Sequence, residues 1–154
     1  MPTIKPKQVA ATAKSLYAGG LCCSEAALLA IAQGLGMESP CLPAVASGFC
    51  GGMARSGGPC GALTGAVMGM GLALGRTSHE QSAQPSSHAS RRLVNEFREM
   101  FGAADCHVLI DFDPNWHRDD ISAAFNRDGR RERCAHFTSM AAELAANIIL
   151  ESKD

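Results

Sequence analysis

The sequence predicts an all-α protein, a single compact domain of five or six helices around a central, glycine-rich apolar helix. Three observations lead there. Apolar residues recur at the three- and four-residue spacing of helices along most of the chain, and no stretch alternates with the period of two that a half-buried strand needs. Glycines and prolines stand where such helices should stop and start. With 154 residues the chain can bury a core without cross-links, so residues 1–154 are read as one domain.

The first helix is expected over residues 7–18, where Val9, Ala13, Leu16 and Tyr17 share a face and Gly19-Gly20 ends it. A second starts at Cys22-Cys23-Ser24-Glu25, carries Leu28, Ile31 and Leu35 on its apolar stripe, and closes at Gly34 and Gly36. Pro40 to Pro43 is a turn, Ala44 to Ser47 suits one short helical turn, and residues 48–53 are glycine-rich. Pro59 then opens the longest apolar element, residues 60–75, since its missing N–H would be unpaired at a helix start anyway. Within that element Gly61, Gly65 and Gly69 recur every four residues. They form a smooth face for another backbone, at a propensity cost of about 1 kcal/mol each that only surrounding neighbours can offset.

Residues 76–87 read as a polar loop, and Leu93, Val94, Phe97, Met100 and Phe101 mark an amphipathic helix over 86–101. Asp105 can cap a short helix containing Cys106, Val108, Leu109 and Ile110. Residues 111–133 are the least regular segment, with a turn at Asp113-Pro114-Asn115 and with Asp111, Asp113 and Trp116 able to shape a lid. The last helix is expected to begin near Cys134 or Ala135, burying Phe137, Met140, Ala141, Leu144 and Ile148.

Charge and hydropathy exclude several function classes. A net charge of −1 supplies no basic field for phosphate backbones, so no nucleic-acid partner is expected. Arg127, Arg130, Arg131 and Arg133 are interleaved with Asp119, Asp120, Asp128 and Glu132, which reads as a solvated surface segment. The uncharged part of residues 56–75 contains Pro59 and many glycines, leaving too few helical apolar residues for the ~20 a bilayer span needs. The amino terminus lacks the apolar core of a secretory signal, so a cytoplasmic location is expected.

Seven cysteines are many for that compartment, where disulfides are rarely structural, and they point to metal, cluster or thiol chemistry. The competing reading is that free cysteine often serves as a small buried apolar residue. Cys23, Cys60, Cys106 and Cys134 each fall at or just inside a predicted helix start, where unpaired backbone N–H groups favour thiolate, the form that attacks disulfides and binds soft metals. No Cys-x-x-Cys occurs, so no thioredoxin-type dithiol, ferredoxin run or zinc ribbon is written locally. A shared centre has to be assembled by the tertiary fold.

The segment Gly58-Pro59-Cys60-Gly61-Ala62-Leu63-Thr64-Gly65 closely resembles the hallmark of the C_GCAxxG_C_C family of redox-active proteins. Cys23-Ser24-Glu25-Ala26 resembles the first cysteine motif of that family, Phe49 to Met53 its glycine-rich approach, Cys106 its third cysteine and Cys134-Ala135-His136-Phe137 its fourth. A similar domain occurs in split-Soret cytochromes, where an iron–sulfur centre accompanies haems. The resemblance implies a cluster-binding or redox role for Cys23, Cys60, Cys106 and Cys134. It carries no haem across, since Cys-x-x-Cys-His is absent. Departures are Cys22 beside Cys23, Cys50 where glycine is usual, and the long segment before Cys134; Cys22 and Cys50 are read as additional ligands or resolving thiols.

Three functions follow. The first is an iron–sulfur protein passing single electrons to a redox partner protein. The second is a thiol/disulfide exchange protein in which Cys60 is the low-pKa attacker and a nearby cysteine resolves it, with Cys60 and Cys23 the catalytic candidates. The third is a structural zinc module that organises a partner-binding surface. His107 and His136 are candidates for mixed Cys/His coordination, while His79, His88 and His117 sit in polar loops. Glu25 is either a base near Cys23 or a complement to the helix dipole. The glycine loops at 48–52 and 57–61 follow no strand, which argues against nucleotide binding. The glycine stripe suits a homodimer and a monomer's core equally.

Overall fold

A computed structural model describes residues 3–153. Among the described residues the chain forms seven α-helices and one 3₁₀ helix, with no strand and one isolated β-bridge. The helices are α1 (Pro6–Ala18), α2 (Cys23–Gly34), α3 (Gly61–Leu74), α4 (Gln84–Phe101), α5 (Cys106–Leu109), α6 (Arg118–Phe125) and α7 (Arg130–Glu151), with the 3₁₀ helix Ala44–Phe49 between α2 and α3. The all-α class holds, but five or six helices was too few.

Both corrections lie in the segment expected to be irregular. Helix α6 forms because the His117 side chain accepts from the Asp119 N–H at its amino end, Asp119 and Asp120 occupy its first turn, and Ile121 and Ala124 are buried three residues apart. Helix α7 begins at Arg130, one turn before Cys134, after Gly129 enters the left-handed region at φ 71°. That charged first turn is held from outside. The Arg130 guanidinium donates to the carbonyls of Ile110 (2.8 Å) and Asp111 (2.9 Å), which helix α5 leaves open at its end.

Helix α7 packs against α1, α2, α3 and α4, and α3 lies against α2, α4 and α7. Small residues set those distances. Ala62 and Ala66 of α3 and Ala141, Ala142, Ala145 and Ala146 of α7 are fully buried, so the backbones approach closely and the bulky core residues Ile31, Met70, Leu93 and Phe97 fill the space left between them. Gly65 decides the α2–α3 contact: a Cβ there would strike the Ser24 carbonyl oxygen and lie 2.9 Å from Ser24 Cα. The amino end of α2 therefore rests directly on the first turns of α3.

Between the 3₁₀ helix and α3 the chain makes an uncommon turn. Gly51, Gly52, Met53, Ala54 and Arg55 all have positive φ, from 54° to 72°, and for a residue with a Cβ that conformation costs roughly 1–2 kcal/mol. Hydrogen bonds from Ala54 to Gly48 O (2.8 Å), Arg55 to Cys50 O (2.9 Å) and Gly58 to Gly52 O (3.0 Å) hold it closed. Gly52 is needed on two grounds: φ is 72°, and a Cβ would meet Cys106 Cβ at 2.7 Å.

Candidate functional site

Cys23, Cys60, Cys106 and Cys134 all line one pocket of about 260 Å³, far more room than a single water needs. Each arrives from a different element. Cys23 is the first residue of α2, Cys60 precedes α3 as its cap, and Cys106 is the first residue of α5. Cys134 lies in the second turn of α7 rather than at its start, so the expectation of four helix-start cysteines holds for three. Its own backbone N–H is inside the helical ladder and cannot assist its sulfur.

Cys60 and Cys106 are fixed by a two-residue antiparallel pairing that the chain makes through Pro59 and Asp105. The Cys60 N–H donates to Ala104 O and the Cys106 N–H to Gly58 O, each at 2.7 Å. His107 N–H extends the pairing to Gly57 O (3.2 Å), and the His107 ring nitrogen Nδ1 lies 2.6 Å from the same carbonyl. Cys23 reaches the pocket because Gly61 has no Cβ, which would otherwise strike the Cys23 sulfur. The glycine after Cys60 thus makes room for the first cysteine of the set.

The electrostatics are those of thiols taken out of water. Burial pushes the Cys60 thiol up to about 12, negative charge on Cys23 adds to the rise, and the N–H groups of Leu63 and Ala62 oppose it. This corrects the expectation that Cys60 is a low-pKa attacker: desolvation outweighs the helix start. Burial likewise raises Cys134 to about 12, against which the Tyr17 hydroxyl, Arg133 and Arg131 stabilise its thiolate. Cys106 is raised by burial and by Cys60, Cys134 and Cys23. Cys23 is raised by burial, with the N–H groups of Gly51, Ser24 and Ala62 directed at its sulfur. Cys60, Cys106 and Cys134 each feel charge on Cys23, and Cys106 feels charge on all three of the others.

Sequence reasoning missed several lining residues, Tyr17, Arg131 and Arg55 among them. Tyr17, counted only as part of an apolar face, is the single tyrosine of the chain; burial and the charges of Cys134 and Cys23 push its hydroxyl above its ordinary value. Arg131, read as solvated, lines the pocket and donates to Asn126 Oδ1 at 3.0 Å. Arg55, carried round by the left-handed turn, donates through Nη1 to Ser122 Oγ across the pocket mouth. No local pattern marks these positions. His107 and His136 do not line the pocket: the first is tied to Gly57 and the second stands edge-on to Phe101, ring centres 5.7 Å apart.

Cys22 and Cys50 form a disulfide with Cα atoms 5.9 Å apart, and both line the same pocket. With Glu25 they are also the one trio of cysteine, histidine or acidic side chains, among the described residues, whose ligand atoms all lie within 4.8 Å of one another. Cys41 is exposed and apart from the pocket.

The model of one protein family, described as "Putative redox-active protein (C_GCAxxG_C_C)", matches residues 21–148. The chain belongs to that family. No curated protein and no solved structure matches it. In the C_GCAxxG_C_C framework the matched span begins just before Cys22-Cys23 and ends inside α7, so it takes in every pocket cysteine. The family glycines then have a physical role here: Gly61 admits the Cys23 sulfur and Gly65 seats the amino end of α2.

Proposed function

We propose that Cys23, Cys60, Cys106 and Cys134 hold an iron–sulfur cluster and that the protein passes single electrons to a redox partner. The observation that carries this reading is the gathering of four free cysteines, Cys23 half-buried and the other three buried, from four elements of a redox-family chain around one pocket. Without a metal all four stay protonated, since burial disfavours the thiolate at each; a cationic centre would compensate the thiolate form that ligation needs. A bound cluster would supply a one-electron couple. The chain's own contributions are the Gly51, Ser24 and Ala62 N–H groups at Cys23, the Tyr17 hydroxyl at Cys134, and the Arg131 charge, all of which favour the thiolates and would raise a reduction potential. Phe137 and Ile110 exclude water from the inner wall.

Spacing favours a cluster over structural zinc. Tetrahedral zinc with bonds of about 2.3 Å holds its sulfurs about 3.8 Å apart, whereas no three of these four sulfurs lie within 4.8 Å of one another. A polynuclear centre tolerates the wider arrangement. Iron and acid-labile sulfide analysis of anaerobically purified protein, with electron paramagnetic resonance after reduction, is the test. Brown, iron- and sulfide-loaded protein is expected; colourless protein without iron under those conditions refutes the reading, and stoichiometric zinc in its place would establish the alternative.

A further inference from the structure

Cys22 and Cys50 stand apart from the four free pocket thiols in chemistry, and from the buried Cys60, Cys106 and Cys134 in access. They join the cap of α2 to the end of the 3₁₀ helix, both are half-buried, and both line the pocket. Beneath them lies the Ser24 hydroxyl, wholly buried, with Oγ 3.3 Å from Cys22 Sγ and 3.5 Å from Cys50 Sγ. The proton of that hydroxyl is already given to Ala46 O at 2.8 Å, so only its lone pairs remain for the two sulfurs. A disulfide has no proton to offer them; a thiol does. The site therefore holds an acceptor that is satisfied from the sulfur side only when the bond is broken.

The other neighbours suit exchange as well. Glu25 accepts the Cys22 backbone N–H through Oε1 (2.9 Å) and the Ser47 hydroxyl through Oε2 (2.7 Å), which holds its carboxylate within 4.8 Å of both sulfurs. The Glu25 backbone N–H points in turn at Cys22 Sγ, completing a capping box in which sulfur replaces the usual oxygen. Cys22 is thus the sulfur equipped to carry negative charge.

From this arrangement we infer that Cys22 and Cys50 are a reversible disulfide/dithiol couple exchanging two electrons with a dithiol partner. A thiolate of the partner attacks Cys50 Sγ; a mixed disulfide forms there as the Cys22–Cys50 bond breaks and its electron pair leaves on Cys22, facing the Glu25 N–H. The partner's second thiolate then attacks its own sulfur in the mixed disulfide and releases Cys50. The partner is oxidised to a disulfide, Cys22 and Cys50 are reduced to thiols, and two protons pass from partner to protein, with Glu25 the carboxylate placed to relay the first. The couple does not depend on what the other four pocket cysteines bind.

The test uses native, full-length protein equilibrated anaerobically with mixtures of reduced and oxidised dithiothreitol, acid-quenched, alkylated and peptide-mapped, with iron measured in parallel. Cys22 and Cys50 should convert together, one dithiol consumed per pair, with iron content unchanged. A monothiol, glutathione, should be trapped on Cys50. Ser24→Ala should shift the equilibrium toward the disulfide by about threefold to tenfold, the worth of one hydrogen bond. A bond that resists millimolar dithiothreitol until denaturant is added, or two cysteines that stay unlinked in oxidised dithiothreitol, would overturn the inference. Trapping on Cys22, or an unshifted Ser24→Ala equilibrium, would overturn the roles given to Cys22 and Ser24. Absence of iron with an intact couple would sink the cluster and leave this site standing.

Discussion

Substituting Gly65 by alanine tests the packing that brings α2 and α3 together. In an unobstructed helix the change would stabilise by about 1 kcal/mol, because alanine loses less backbone freedom. Here the new methyl would overlap the Ser24 carbonyl oxygen and approach Ser24 Cα at 2.9 Å and its carbonyl carbon at 3.0 Å, where ordinary contacts begin at 3.4 Å. All three are backbone atoms at the amino end of α2, and no rotamer relieves them. Overpacking costs typically about 1–3 kcal/mol and more when the obstacle cannot move, so with the helix gain subtracted the net loss is about 2 kcal/mol. For a chain of this size that lowers Tm by roughly 4–8 °C. Gly71→Ala is the matched control. It lies in the same helix with nothing within 4 Å of the added Cβ, and it should raise stability by about 0.5–1 kcal/mol. Thermal unfolding followed by circular dichroism at the helical band measures both. The reasoning fails if the two substitutions shift Tm in the same direction, or if Gly65→Ala is neutral.

Three other predictions rest on the same geometry. Cys60→Ser should abolish iron and sulfide binding, while Cys41→Ser, at an exposed position outside the pocket, should leave both unchanged by elemental analysis. In metal-free protein the Cys60 and Cys134 thiols rise from 9.0 unfolded to about 12 folded. The unfolded chain therefore loses these protons first, so the stability they contribute is complete below pH 9 and is lost progressively toward pH 12. The loss should approach about 1.4 kcal/mol per pH unit per thiol; urea titrations across that window should show it, with a shallower fall in Cys60→Ala. Ser24→Ala removes the buried hydroxyl's hydrogen bond to Ala46 O and should destabilise by about 0.5–1.5 kcal/mol in urea unfolding; an unchanged midpoint would mean that this bond adds nothing to stability.

Helix positions were legible wherever an apolar stripe ran uninterrupted, as in α1, α2, α3 and α4. They were illegible in α6 and the first turn of α7, where charged residues cover the exposed side and only Ile121 and Ala124 face inward. Two inward residues in eight is too weak a period to separate from a loop. The motif at Cys60 was legible because the close approach of α2 restricts the residue type itself at Gly61 and Gly65, leaving a regular glycine spacing in the sequence. Tyr17 and Arg131 were not, since a side chain's role at a distant sulfur leaves no trace in its own neighbourhood of sequence.

The sequence by itself determined the helical class, the glycine-lined α3, the membership carried by the Cys60 motif, and the supply of sulfur. These are properties of neighbouring residues, governed by periodicity and by local backbone freedom. Only the tertiary structure decided that residues 23, 60, 106 and 134 share one pocket while 22 and 50 bond to each other at its edge. It also decided that burial overrides the helix-start advantage of Cys60. Desolvation and charge coupling depend on what surrounds a thiol in space, and that environment is assembled from segments more than a hundred residues apart.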